Sequence, residues 1–283
     1  MTVYPFIVHL GPLEITGYGL MLMVAFLMGG WLIARQLREH QLREDYAADM
    51  VAAAVIGGII GAKLWYVALT QDAGALFSRG GLVWYGGFIG GALAVMLNGW
   101  RLKVPLRWTM QIGAPALAAA YALGRVGCFL VNDDYGRPTD LPWGMKFPEG
   151  LPPSTAGNLH QLFGIPIPPG IDPAIVLAVH PTQLYEVAAM LLAFAILWSL
   201  RKRGHPAGWL FGLYLVFAGV ERFLVEFVRA KDDRLLGAFT LAQATSALIV
   251  MIGLWLMLRW RRTADPAPGI YLETGKKASL SKA

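Results

Sequence analysis

The chain has 283 residues, of which 56% are hydrophobic and only 15% charged. Soluble domains carry about 25% charged residues, so the composition sets this chain apart from them and marks a polytopic membrane protein. The single cysteine, Cys128, excludes an internal disulfide and any multi-cysteine zinc site. The net charge of +6 does not point to nucleic acid, because much of it lies in short connections between apolar segments, where positive charge sets topology.

Residues 1–16 are short and mixed, with Pro5, Gly11 and Pro12, and read as a surface segment at the membrane interface. No basic leader of a cleavable signal peptide is apparent, so the first apolar segment is expected to remain as a span. Seven apolar stretches follow: about Tyr18–Ala34, Ala47–Leu69, Leu82–Trp100, Trp108–Val131, Pro181–Leu200, Ala207–Val228 and Phe239–Leu258. Each approaches the roughly 20 residues that cross hydrocarbon, where only self-satisfied helices are stable. The fold class is therefore all-α integral membrane with about seven transmembrane helices. Four of them lie within residues 17–131 and three within 179–262. Residues 132–178 form a long polar insertion rich in proline, and 263–283 a short basic tail expected to fray.

Orientation follows from the basic residues. Arg35, Arg38 and Arg43 trail the first span, Arg101, Lys103 and Arg107 the third, Arg201, Lys202 and Arg203 the fifth, and Arg259, Arg261 and Arg262 the last. This places the N-terminus outside and the C-terminus inside. The 132–178 stretch then lies outside, as a functional lid or a small periplasmic head. No fixed-period repeat supports a transporter built from inverted halves.

Small residues recur four apart in Gly57-Gly58-Ile-Ile-Gly61 and Gly86-Gly87-Phe-Ile-Gly90-Gly91. That spacing lets helix backbones approach closely, and the second set could also leave room for a lipid headgroup.

The charged residues inside the apolar stretches carry the chemistry. Arg125 opens Gly124-Arg125-Val-Gly-Cys128 in the fourth span. A guanidinium in hydrocarbon costs at least about 2.5–3.5 kcal/mol, so it faces a wet cavity or an anionic partner, or snorkels from a helix end. In the sixth span Arg222, Glu226 and Arg229 share one helical face. Two arginines bracket one carboxylate, which leaves a positive excess on that face. A planar, permanently charged guanidinium suits bidentate phosphate binding, and in a membrane the nearest phosphate is a phospholipid headgroup. A structural salt-bridge ladder is the alternative. His180-Pro-Thr-Gln183-Leu-Tyr185-Glu186 enters the fifth span, with His180 at the interface as a cap or a base and Glu186 inside, paired or functional. The Asp133-Asp134 pair reads as loop polarity or as hydrogen bonding to a bound peptide.

Taken together, these pieces resemble the prolipoprotein diacylglyceryl transferase family. The matching stretches are Tyr18-Gly19-Leu20, Tyr85-Gly86-Gly87-Phe88-Ile89-Gly90, Gly124–Phe129 with Tyr135-Gly136-Arg137-Pro138, His180–Glu186 and Arg222–Arg229. They occur in the family's order and cover most of the chain. The resemblance implies a bacterial inner-membrane enzyme that moves diacylglyceryl from phosphatidylglycerol to the lipobox cysteine of a preprolipoprotein signal peptide, releasing glycerol-1-phosphate. Its partners are then those two substrates and membrane lipids. No nucleic acid, cofactor or metal is expected. The implied catalytic residues are Arg125, Arg222 and Tyr85. The resemblance further marks Tyr18, Gly136, Glu226 and Arg229 as functional positions, and Gly86, Gly87, His180 and Glu186 join them as substrate-binding candidates from the reading of the residues above.

Two departures stand out. Members often carry His-Gly-Gly in the third span, where the His has been considered a base; here Tyr85 holds that place. Many have Asn where this chain has Cys128. A phenol ordinarily ionises near about pH 10 and is a poor base at neutral pH unless cations lower it. Tyr85 is thus activated, or another group takes the proton, or no dedicated base is needed. The rival classes are an anion or lipid transporter, predicting flux without a covalent product, and a non-catalytic phospholipid-binding protein.

Overall fold

A computed structural model describes residues 1–11, 13–77, 81–230, 234–236 and 239–273. The helices are α1 (Gly17–Glu39), α2 (Tyr46–Thr70), α3 (Trp84–Arg101), α4 (Leu106–Leu130), the short α5 (Ala156–Gln161), α6 (Thr182–Leu200), α7 (Trp209–Val225) and α8 (Leu241–Arg261). Each of the seven predicted stretches falls on a helix. Among the described residues, α1, α2, α4, α6 and α8 are the five long and apolar enough to cross a membrane. The other two fall short for visible reasons. Polar Asn98 and Arg101 lie within α3, and α7 stops after 17 residues, at Val225. The predicted sixth span ran on to Val228, but residues 226–228 close as a turn, with Phe227 and Val228 bonding back three residues.

The chain is not wholly helical. The predicted surface segment 1–16 contains β1 (Ile7–Leu10) paired antiparallel with β2 (Leu13–Thr16), Ile7 opposite Thr16. A second small pair joins β3 (Arg234–Leu236) to β4 (Phe239–Thr240) just before α8. Thr240 and Gln243 then cap α8 reciprocally. The Thr240 N–H donates to Gln243 Oε1 and the Gln243 N–H to Thr240 Oγ1, both at 3.1 Å.

The chain divides into two compact units. The first comprises 1–28, 117–205 and 209–259. Within it, residues 132–178 fold around a core of Tyr135, Phe147, Leu159 and Ile165, closed by Val179 and Ala230. Tyr135 stacks on Phe147 at 5.5 Å and donates its hydroxyl to the Pro152 carbonyl at 2.6 Å. Thr155 caps α5 by accepting from the Asn158 N–H. The N-terminal segment is tied into the same unit. The Val3 N–H donates to the Lys146 carbonyl at 2.9 Å, and the Phe6 N–H to the Leu130 carbonyl at 2.7 Å.

The second unit comprises 29–116, 206–208 and 260–283. Its centre is the contact of α2 with α3. A side chain at Gly61 would overlap the Gly86 carbonyl oxygen, and one at Gly86 would overlap the Gly61 carbonyl. The close backbone approach is therefore the use the fold makes of these glycines. Gly87 is looser, with the Gly58 carbonyl oxygen 3.5 Å from where its Cβ would lie.

The tail is the clearest correction to the sequence reading. Residues 264–273 do not fray but lie bonded along this unit. Asp265 Oδ1 accepts from Arg107 Nη2 and from the Ala207 N–H, each at 2.9 Å. Trp108 donates to the Pro266 carbonyl, the Arg43 N–H to the Leu272 carbonyl, and Tyr271 to Asp49. Leu272 is fully buried. A short sequence broken by Pro266, Pro268 and Gly269 gives no sign of such docking, because its bonds are made residue by residue to distant partners. The basic end of the tail beyond 273 lies outside the described residues.

Overpacking a tight contact costs about 1–3 kcal/mol. Gly61→Val is therefore expected to lower the thermal midpoint in detergent and the yield of monodisperse protein. Gly58→Ala, whose Cβ would meet the Gly87 carbonyl oxygen at an ordinary 3.6 Å, should leave both near wild type.

Candidate active site

The first unit gathers most of the predicted polar residues into one chain of alternating charges. Arg125 lies near the C-terminal end of α4. Its Nε is 2.6 Å from Glu186 Oε2, and its Nη1 donates to Asp134 Oδ2 at 2.8 Å. Asp134 uses its other oxygen, Oδ1, to accept from Arg229 Nη2 at 2.9 Å. Arg229 Nε lies 3.8 Å from Glu226 Oε2, and the same oxygen accepts from Arg222 Nη1. The sequence Glu186–Arg125–Asp134–Arg229–Glu226–Arg222 is thus continuous. The side chains of Glu186 and Glu226 are 1% exposed, Arg125 17% and Asp134 39%. Two carboxylates lie beneath the guanidinium groups and one lies at the open side.

Local structure explains the convergence. Pro181 precedes α6, where its missing N–H costs nothing, and sets Thr182 and Gln183 at the helix start. The Thr182 hydroxyl donates to the Asp134 carbonyl at 2.7 Å, and the Gln183 amide donates to the Asp133 carbonyl. These bonds hold the loop that leaves α4. Asn132 and Asp134 both take left-handed backbone angles, φ +61° and +57°, which Asn and Asp tolerate better than most residues. Gly136 has no room for a side chain, since a Cβ there would lie 2.7 Å from His180 Cβ and 2.8 Å from Thr182 Cγ2. Its N–H donates to the His180 carbonyl, while Arg137 bonds the carbonyls of Val228 and Arg229. Gly136 thereby has a packing reason to be glycine.

The remaining predicted residues sort as follows. Tyr18, in α1, packs against Gly127, where an added Cβ would meet its Cα at 3.2 Å. His180 Nδ1 is 3.2 Å from the Tyr185 hydroxyl, which accepts from Trp143 Nε1. Burial lowers the imidazole's pKa from its ordinary value. Tyr85, Gly86 and Gly87 belong to the second unit. Tyr85 is 64% exposed and meets Trp84 edge-on, and Gly86 is taken up by the helix contact with Gly61.

Two expectations need correction. The three charged residues of the Arg222–Arg229 stretch do not share one helix face, because Glu226 and Arg229 lie beyond the end of α7. Nor does the cluster keep a positive excess as it stands. Three arginines face three carboxylates, because Glu186 and Asp134 join Glu226. Asp134 is the member of this network that the sequence did not point to. Its partner Arg229 lies 95 residues away, and a turn aspartate carries no periodicity to betray its direction. The acid of α7 also has a partner, since the Tyr121 hydroxyl donates to Glu221 at 3.3 Å while its ring lies 5.5 Å from the Arg125 guanidinium.

Cys128, Asp133 and Asp134 bring three potential ligand atoms within 4.8 Å of one another. They suit a cation poorly, because both Asp134 oxygens already serve arginines. Burial raises the pKa of Asp134, but Arg229 and Arg125 outweigh it and hold the carboxyl below its ordinary range. Asp133 behaves oppositely. Burial, with Asp134 beside it, pushes Asp133 up to about 6.

The fold and this network define a multi-pass membrane protein with three guanidinium groups ion-paired to two buried carboxylates and one exposed one. The family model for prolipoprotein diacylglyceryl transferase matches residues 5–259. The chain belongs to that family. It is 34% identical over 271 residues to a phosphatidylglycerol–prolipoprotein diacylglyceryl transferase of Cupriavidus metallidurans, covering 90% of this chain and 88% of the relative. Proteins of the same name from Nitratidesulfovibrio vulgaris and Clostridium tetani are each 31% identical. Each match takes in 89% of this chain, with 93% and 96% of the respective relatives.

The raised pKa of Asp133 has a testable sign. The fold favours the neutral carboxyl, so its contribution to stability is full below the ordinary value of 3.8 and is lost as pH rises through about 6. Asp133→Asn is neutral throughout. Its thermal midpoint relative to wild type should climb from about pH 4 to about pH 7. A constant offset across that range would count against the assignment.

Proposed function

We propose that this chain transfers the diacylglyceryl group of phosphatidylglycerol to the lipobox cysteine of a preprolipoprotein, the first step of bacterial lipoprotein maturation. The observation that carries the reading is the convergence of Arg125, Arg229 and Arg222 on one charge network in a multi-pass member of this family. The lipid phosphate binds between Arg125 and Arg222, with Arg229 beside them. The substrate thiol, with an unperturbed pKa of about 8.5, is deprotonated before attack, and a guanidinium group close to the sulfur favours the thiolate. The sulfur attacks the glyceryl carbon bonded to the phosphate oxygen. A thioether forms, the carbon–oxygen bond breaks, and glycerol-1-phosphate leaves with the bonding pair. Guanidinium groups beside the leaving phosphate stabilise its growing charge.

The buried carboxylates position these groups. Glu186 holds Arg125 from below, and Glu226 holds Arg222 and Arg229. His180, Tyr18 and Gly136 shape the surrounding wall. Tyr85, with Gly86 and Gly87 next to it, stands at the family's frequent His position, and Tyr85→Phe tests whether its hydroxyl takes part in proton removal.

The setting is the inner membrane, crossed seven times by α1–α4 and α6–α8, with the N-terminus outside and the C-terminus inside. The shorter α3 and α7 extend about 27 and 25 Å, near the roughly 30 Å of hydrocarbon. Basic connections support this orientation. The 132–178 segment is then a periplasmic head, and the site opens to the outer leaflet.

Purified protein incubated with phosphatidylglycerol vesicles and a lipobox peptide should add one diacylglyceryl mass to the peptide and release glycerol phosphate. The same peptide with serine for cysteine should not react. Arg125→Ala and Arg222→Ala should each cut the rate by about 100- to 1,000-fold. Normal turnover in either folded variant, or no mass gain with wild type, would refute the reading.

A further inference from the structure

Among the carboxylates of the network, Asp134 differs in three respects. It is the accessible one, 39% exposed where Glu186 and Glu226 are 1%. It alone spans two guanidinium groups with separate oxygens, 2.8 Å to Arg125 and 2.9 Å to Arg229, as two oxygens of a phosphate would. And it is carried by a loop backbone fixed independently of its side chain, through the Thr182 hydroxyl on its own carbonyl and the Gln183 amide on the carbonyl before it. Rotation about its side-chain bonds frees both arginines without moving the chain.

We propose that Asp134 is a built-in competitor for the phosphate site, a carboxylate that alternates with the ligand's phosphate on Arg125 and Arg229. The inference rests on the phosphate-binding role given to those arginines above. Its charge logic is simple. With Asp134 in place, each of the three arginines is ion-paired to a carboxylate. With Asp134 swung away, N–H donors on Arg125 and Arg229 are uncovered for an incoming phosphodiester, which carries a single negative charge. The product is a phosphate monoester, with a charge of about −1.5 to −2 at neutral pH. The arginines would therefore hold the product more tightly than the substrate. A tethered carboxylate returning to the same N–H groups offsets that difference and speeds release. Glu186 and Glu226 cannot serve this purpose, because they lie buried beneath the guanidinium groups.

The test is glycerol-1-phosphate binding by calorimetry in detergent, together with its inhibition of transfer, in wild type, Asp134→Asn and Arg125→Ala. If the free arrangement is populated roughly one part in ten, removing the competitor tightens binding about 10-fold. Asp134→Asn should show that tightening, a matching fall in the inhibition constant, a lower KM for phosphatidylglycerol and a lower kcat limited by release. Asp134→Ser, which removes both charge and reach, should repeat the tightening and serves if the asparagine variant does not fold. Unchanged or weaker binding in the Asp134 variants, with wild-type binding abolished by Arg125→Ala, would overturn the competitor role and leave the phosphate site standing. Binding that is absent from wild type, or unaffected by Arg125→Ala, would overturn both.

Discussion

A guanidinium that a helix carries into an apolar surrounding has to be answered by a carboxylate, and much of the first unit is arranged around answering Arg125. Breaking a buried pair by removing one partner costs about 3–5 kcal/mol, so Glu186 and Arg125 hold each other in place. Glu186 is 1% exposed, and α6 must start where it does to bring it there. That start is set by Pro181, and the first residues of α6 clasp the loop leaving α4. The loop then delivers Gly136 and Arg137 to the turn after α7. One electrostatic requirement thereby positions three helix ends.

The helices were legible because their signal is local. An apolar stretch near the length of a bilayer has few alternatives to a helix, and all seven stretches proved helical. Arg125 and Arg222 were legible for the converse reason, since a charge in such a stretch is conspicuous. The glycines of α2 and α3 announced a close contact by their spacing, and Gly61 and Gly86 make one.

What the residues did not disclose is partnership across long separations. Glu186 was conspicuous, but nothing in its neighbourhood named Arg125 as its partner. Asp134 stood in plain view beside Asp133, yet the direction of a turn side chain depends on φ and on which carbonyls the next helix captures. The end of α7 was misjudged because Glu226-Phe-Val-Arg229 continues the apolar rhythm. The backbone leaves the helix there to meet Gly136, a tertiary preference that overrides local pattern.

The docked segment 264–273 bears on how the protein is made. The second unit draws on residues 29–116, 206–208 and 260–283, so its parts emerge from the ribosome far apart in time. Asp49, Arg107 and Trp108 are translated long before Tyr271, Asp265 and Pro266, with which they bond. At about 5–20 residues per second the delay is several seconds or more. During it, Arg107 and Asp49 face their surroundings without those partners. Completion of this unit is therefore a post-insertion event, and a nascent chain stalled shortly after α8 would be an inserted but unfinished protein, open to quality-control proteases.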